Sequence, residues 1–94
     1  MVGAINHRGW IVLDSIHSLD GQWCVDVFAR PAGGFGFEHF RAEPEDAGRW
    51  TPVGGFAGRR FVSAVDALDA AVADVAWLES DRVDVVAARG RLGA

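Results

Sequence analysis

Cys24 and His17 flank the stretch SLDGQW (18–23), and a thiol beside an imidazole is a nucleophile beside its base. Such a pair needs both side chains on one face, and the strand register favoured below sets them on opposite faces. Asp14 and Asp26 are a second candidate, because the same register makes them direct cross-strand neighbours whose like charges repel. Paired carboxylates can do acid–base work, although on a solvated sheet face they are usually hydrated side chains and nothing more. His7, His17 and His39 lack the close paired spacing of a local zinc site, and a single cysteine adds little to them. The glycine-rich segments contain no G-x-x-x-x-G-K-[ST], and the chain has no lysine to reach a phosphate. Arg59-Arg60 is a basic doublet, too small to be a patch. The residue types therefore predict no catalytic residue, no metal site and no cofactor.

Composition sets the frame for these residues. A chain of 94 residues, 50% hydrophobic, is ample for one domain (1–94) and too short for two. A net charge of −4 and a pI near 5.1 disfavour nucleic acid as a partner, because phosphate binding draws on clustered basic charge. All nine basic residues are arginine, which reflects GC-rich coding as readily as any arginine chemistry. The lone Cys24 cannot close an internal disulfide. The start MVGAINHRGW lacks a signal peptide's basic and long apolar regions, and no apolar run approaches the ~20 residues of a membrane span. The expectation is a cytoplasmic protein without membrane contact.

The elements that must position these residues begin with two apolar runs, GWIVLDSIH (9–17) and QWCVDVFAR (22–30), rich in β-branched and aromatic residues and bounded by turn formers. A three-residue loop, Leu19-Asp20-Gly21, fits a type I turn with a left-handed glycine, which pairs Ser18 with Gln22. In that register Ile11, Leu13 and Ser15 share a core-facing side with Trp23, Val25, Val27 and Ala29. The opposite side carries Trp10, Val12, Asp14, Ile16, Cys24, Asp26, Phe28 and Arg30. A two-residue Asp20-Gly21 turn would set Asp14 with Val25 and Val27, a mixed face that is harder to bury.

Farther on, PAGGFGFEHF (31–40) and PVGGFAGRRF (52–61) share Pro, two Gly and two Phe at the same offsets. Each reads as a turn leading into a short strand, over 35–41 and 56–62, and two copies are too few for a solenoid. Between them EPEDAGRW (43–50) is a polar connection with room for one helical turn. SAVDALDAAVADVAWL (63–78) is the clearest helix: Ser63 caps it, Asp66 favours its positive end, and Val65, Leu68, Val72 and Val75 form one stripe. At roughly 100° per residue Trp77 points away from that stripe, so either the helix ends near it or it has another partner. Residues 8–78 form the expected core. The segment 79–94 offers a cap at Ser80 or Asp81 and a stop at Gly90, and is either a short second helix or an unstructured tail. The fold class that follows is α+β: a two-layer, four-stranded, mainly antiparallel sheet with one C-terminal helix on one face.

GWIV with LDGQW (9–23), followed by RFVSAVDALDAA (60–71), resembles a group of small, uncharacterised bacterial domains in which a strand pair around a Leu-Asp-Gly-x-Trp turn leads into one C-terminal helix. The glycine-rich middle (32–58) and the tail after Leu78 depart from that group. The resemblance implies an antiparallel sheet with one helix and supplies no function.

One sheet face is thereby left without a cover, and Trp10, Val12, Ile16 and Phe28 on it are the expected interaction surface. The leading expectation is a non-enzymatic module binding another protein or a second copy of itself. The alternative is a small nucleic-acid-associated regulator, with Trp10 and Phe28 stacking on bases and Arg30, Arg41, Arg59 and Arg60 meeting phosphate. Five acidic residues and no basic one in 63–81 weigh against the alternative. An enzyme built on Asp14 and Asp26 ranks third.

Overall fold

The computed structural model describes residues 3–46 and 49–93. Among them, β1 (Ile11–His17), β2 (Trp23–Ala29), β3 (Phe35–Glu43) and β4 (Arg49–Val53) form one antiparallel sheet in chain order. Two helices, α1 (Ala64–Asp74) and α2 (Val83–Leu92), pack on one side of it, giving the two-layer α+β fold. No helix of the described residues is long and apolar enough to cross a membrane.

The first hairpin turns where its sequence predicts, but with four loop residues instead of three. Ser18 N–H donates to the Trp23 carbonyl (2.9 Å), and Gly21 N–H closes the turn on the Ser18 carbonyl (3.0 Å). The Asp20 carboxylate accepts from Ser18 Oγ (2.6 Å) and from the Gln22 amide (2.9 Å), so one side chain braces the loop from inside. Gly21 has φ +74°, a conformation that a Cβ penalises.

This longer loop changes the register and corrects the assignment of faces. His17 pairs with Cys24, Ser15 with Asp26, Ile16 with Val25 and Asp14 with Val27; a bulge between Val12 and Asp14 then restores Val12↔Phe28 and Ile11↔Ala29. A bulge adds one residue to one strand and so reverses which side chains point inward beyond it. Ile16 therefore packs in the helix-side core with Val25, Val27 and Phe37, while Val12 and Phe28 stay on the other side. Asp14 and Asp26 are not neighbours: Asp14 lies on the helix side, where the Arg91 guanidinium meets it at 2.8 Å.

The fourth strand also differs from expectation. The edge strand is Arg49–Val53, with Pro52 opposite Phe40, and an edge position tolerates a proline. Residues 56–62 do not form a strand: Phe56–Gly58 is a 3-10 turn that sets the Phe56 ring 5.0 Å from Phe37, and Phe61 makes one isolated bridge to Phe35. The polar connection holds a 3-10 turn at Pro44–Asp46, and its residues 47 and 48 lie outside the described ones.

Helix α1 is capped by Ser63, whose Oγ accepts from the Asp66 amide at 3.1 Å. Its buried side runs through Ala64, Ala67, Leu68 and Ala71, with Val65 and Val72 only half-buried at its flank, because small residues let the helix approach the sheet closely. It ends at Asp74, which frees Trp77 to turn back onto the sheet and donate from Nε1 to His39 Nε2 at 3.0 Å. Burial lowers the His39 pKa, favouring the neutral imidazole that this bond requires. The tail folds as α2, with Arg82 rather than Ser80 or Asp81 at its cap and Gly90 inside it. Val85 and Ala88 are fully buried, and Arg89 grips Asp69 on α1 at 2.5 Å.

Two stability measurements check this account. Gly21→Ala is expected to cost about 1 kcal/mol through backbone strain alone, since no atom lies within 4 Å of the added Cβ; an unchanged melting temperature contradicts the turn. Phe28→Asp and Val27→Asp should both unfold the domain by circular dichroism, because both side chains are wholly buried although they lie on opposite faces.

Candidate binding site on the outer face of the sheet

The outer face, turned away from the helices, is not bare. Residues 3–10 fold back across it: Val12 N–H donates to the Ala4 carbonyl (3.0 Å), and Asn6 Oδ1 accepts from the amides of Arg8 (2.9 Å) and Trp10 (3.0 Å). Trp10 thereby lies on Phe28, ring centroids 4.7 Å apart, and the Arg30 guanidinium stacks 4.6 Å from Trp10. Arg30 is itself buried, donating to the carbonyls of Phe35 (3.1 Å), Ala57 (2.5 Å) and Arg59 (3.1 Å). Beside it, Arg8 grips Glu38 with Nη2 at 2.8 Å and Nε at 3.2 Å, and Glu38 is 2% exposed.

Of the four residues expected to form an interaction surface, none is an exposed apolar group on this face. Val12 and Phe28 lie beneath the arm, Ile16 is in the helix-side core, and Trp10 is a half-buried part of the cover. Sequence patterning missed the cover because INHRGW carries neither strand alternation nor helical periodicity; its one signal is Asn6, an apt side chain for bracing a turn.

The arm covers only part of the face. What it leaves open is a cavity of about 420 Å³. His17, Cys24, Phe40 and Pro52 fall in one row across the four strands, with Ser15 and Asp26 in the next row of β1 and β2. Ser15, Cys24 and Asp26 make the floor, Phe40, Pro52 and Trp50 the apolar wall. The rim carries aromatic pairs on two sides: His17 against Trp50 (5.6 Å) and His7 edge-on to Phe40 (5.9 Å). Asn6 also reaches the cavity, and its buried Nδ2 has no hydrogen-bond partner among the described residues.

Cys24 and His17 are thus brought together, against the sequence expectation, with Sγ 3.9 Å from Nε2. Proximity does not make them a nucleophile and base. The thiol points instead to Asp26 Oδ1, 3.4 Å away, and burial together with that negative charge pushes its pKa far up. Ser15 Oγ donates to the same oxygen at 2.6 Å. The Asp26 carboxylate thus accepts hydrogen bonds from both the Cys24 thiol and the Ser15 hydroxyl through Oδ1. Among the described residues, no group of three or more His, Cys, Asp or Glu side chains is placed to hold a metal ion.

No family model, curated protein or solved structure matches the chain.

The protonated state of Cys24 is open to direct measurement. At pH 8, iodoacetamide should alkylate the native chain at least about tenfold more slowly than the urea-unfolded chain, because thiolate and access are both denied. Equal rates would mean an exposed, ionised thiol.

Proposed function

We propose that this chain is a non-enzymatic protein-interaction module that recognises its partner through the open cavity on the outer sheet face. The observation carrying this reading is the combination of an apolar-walled, solvent-open hollow with a floor whose thiol and hydroxyl are both tied to one carboxylate. Pockets that bind specifically are lined mostly by apolar and aromatic groups with a few fixed polar ones, and this hollow has that make-up. Trp50, exposed on the edge strand, is an accessible anchor, and tryptophan is over-represented where binding energy concentrates.

Nucleic-acid binding has less support than the sequence alone suggests. Of the arginines expected to meet phosphate, Arg30 is buried among three carbonyls and Arg59 pairs with Asp74, and of the bases' expected stacking partners Phe28 is buried.

Selection of a random-peptide phage library on the immobilised chain tests the reading. Peptides should be enriched on the native protein and fail to bind Trp50→Asp, which keeps its fold because residue 50 lies on an exposed edge. Absence of enrichment above the variant's background overturns the proposal. Light scattering on the same two proteins identifies a second copy as the partner if the native chain dimerises and the variant does not.

A further inference from the structure

Charge pairing separates Asp26 from the other carboxylates of the sheet interior. Asp14 is met by Arg91 at 2.8 Å and Glu38 by Arg8 at 2.8 Å, while on the helices Asp69 and Asp84 have Arg89 and Arg82. Asp26 is partly buried on the central strand β2 and has no cationic partner among the described residues. Its cross-strand neighbour on β3 is Glu38, a second carboxylate, whose charge Arg8 balances. Among the described residues, then, no cation pairs with the carboxylate on the cavity floor, which is held in place by Ser15 and Cys24 and surrounded by the rings of His17, Trp50, His7 and Phe40.

We infer that this cavity receives an alkylated ammonium group, the head of a lysine-like side chain on the partner protein. A carboxylate at the base of aromatic walls attracts a cation twice, through its own charge and through the negative ring faces. The hydrogen bonds discriminate between cations. Both Ser15 Oγ and Cys24 Sγ already occupy Oδ1, so the two parallel acceptors that a guanidinium fork prefers are not both free. An ammonium is a point charge that needs only Oδ2. Phe40, Pro52 and Trp50 offer no further acceptor to a strongly hydrated –NH3+ but make good contact with N-methyl groups, whose hydration is weaker. The inference rests on the protein-interaction reading above for its source of the cation, and its test is independent of the phage selection.

The test is an amide-detected NMR titration at pH 7.5 with choline and with 3,3-dimethylbutan-1-ol, its neutral carbon isostere. Choline should shift the amides of Ser15, Cys24 and Asp26 and the Trp50 indole, binding at least about tenfold more tightly than the isostere. That preference should vanish in Asp26→Asn, which retains an acceptor for Ser15 and therefore the fold, and both ligands should weaken in Trp50→Ala. Equal binding of the two ligands, shifts located elsewhere, or a preference that survives Asp26→Asn overturns the inference; the interaction reading then still stands or falls on the peptide selection. A short peptide carrying trimethyllysine should bind more tightly than choline and than its unmethylated counterpart. Choline binding more tightly than the peptide would overturn the partner-protein source and make the ligand a free small molecule.

Discussion

The Arg8–Glu38 pair, together with the backbone hydrogen bond between Ala4 and Val12, holds residues 3–10 against the outer face, and the state of that face follows from this arm. Glu38 is buried on the strand beside the central β2, where a carboxylate without a counter-charge is costly, so the side chain that neutralises it must come from somewhere in the chain. Arg8 supplies it from outside the sheet, and in doing so draws Trp10 down over Phe28 and His7 against Phe40. The pair does not need to contribute much net stability to have this effect. Its role is positional: it decides which rows of the sheet are roofed and which remain open.

A second constraint is steric and lies under the roof. Phe28 is fully buried because β3 presents Gly36 opposite it; a Cβ there would stand 2.7 Å from the Phe28 ring and 3.1 Å from the Arg59 carbonyl. Arg30 binds that same Arg59 carbonyl and stacks on both Trp10 and Phe28. The absent side chain at 36, the ring at 28 and the guanidinium at 30 thus join the outer cover to the loop that carries the chain to the helices. A two-sided core is built in this way from a sheet that has helices on only one side.

How much of this was legible depends on whether the deciding interaction is local. The α1 cap at Ser63 and the left-handed Gly21 are set by neighbours in sequence and are read correctly from residue types, and the four-stranded α+β class is right although its fourth strand is Arg49–Val53 and not 56–62. The register fails because it hinges on one extra residue in the loop and one in the bulge at Leu13, changes that leave the apolar pattern of 11–17 almost unaltered. The two Pro-Gly-Gly-Phe segments show the same limit. One closes a hairpin at Arg30–Gly34, while the other leaves the sheet into a 3-10 turn, because only the first has a following strand that can pair with its predecessor. The tail was ambiguous because its docking is governed by Arg91 and Arg89, whose partners Asp14 and Asp69 are far away in sequence.

The candidate site was legible in its parts and illegible as a site. Cys24, His17 and Asp26 stand out by residue type, yet the register error separated the first two and gave the third the wrong neighbour. With the observed register, the three residues explain one another. Ser15 and Cys24 direct their hydrogen bonds to one oxygen of Asp26, and burial beside that carboxylate keeps the thiol protonated. Two hydrogen bonds to one oxygen hold the carboxylate in one orientation. The same rigidity is an advantage for recognition, because an anion that is already oriented loses little freedom when a cation arrives. The arrangement that ties Ser15 and Cys24 to Asp26 is therefore also the one that fixes the carboxylate on the cavity floor.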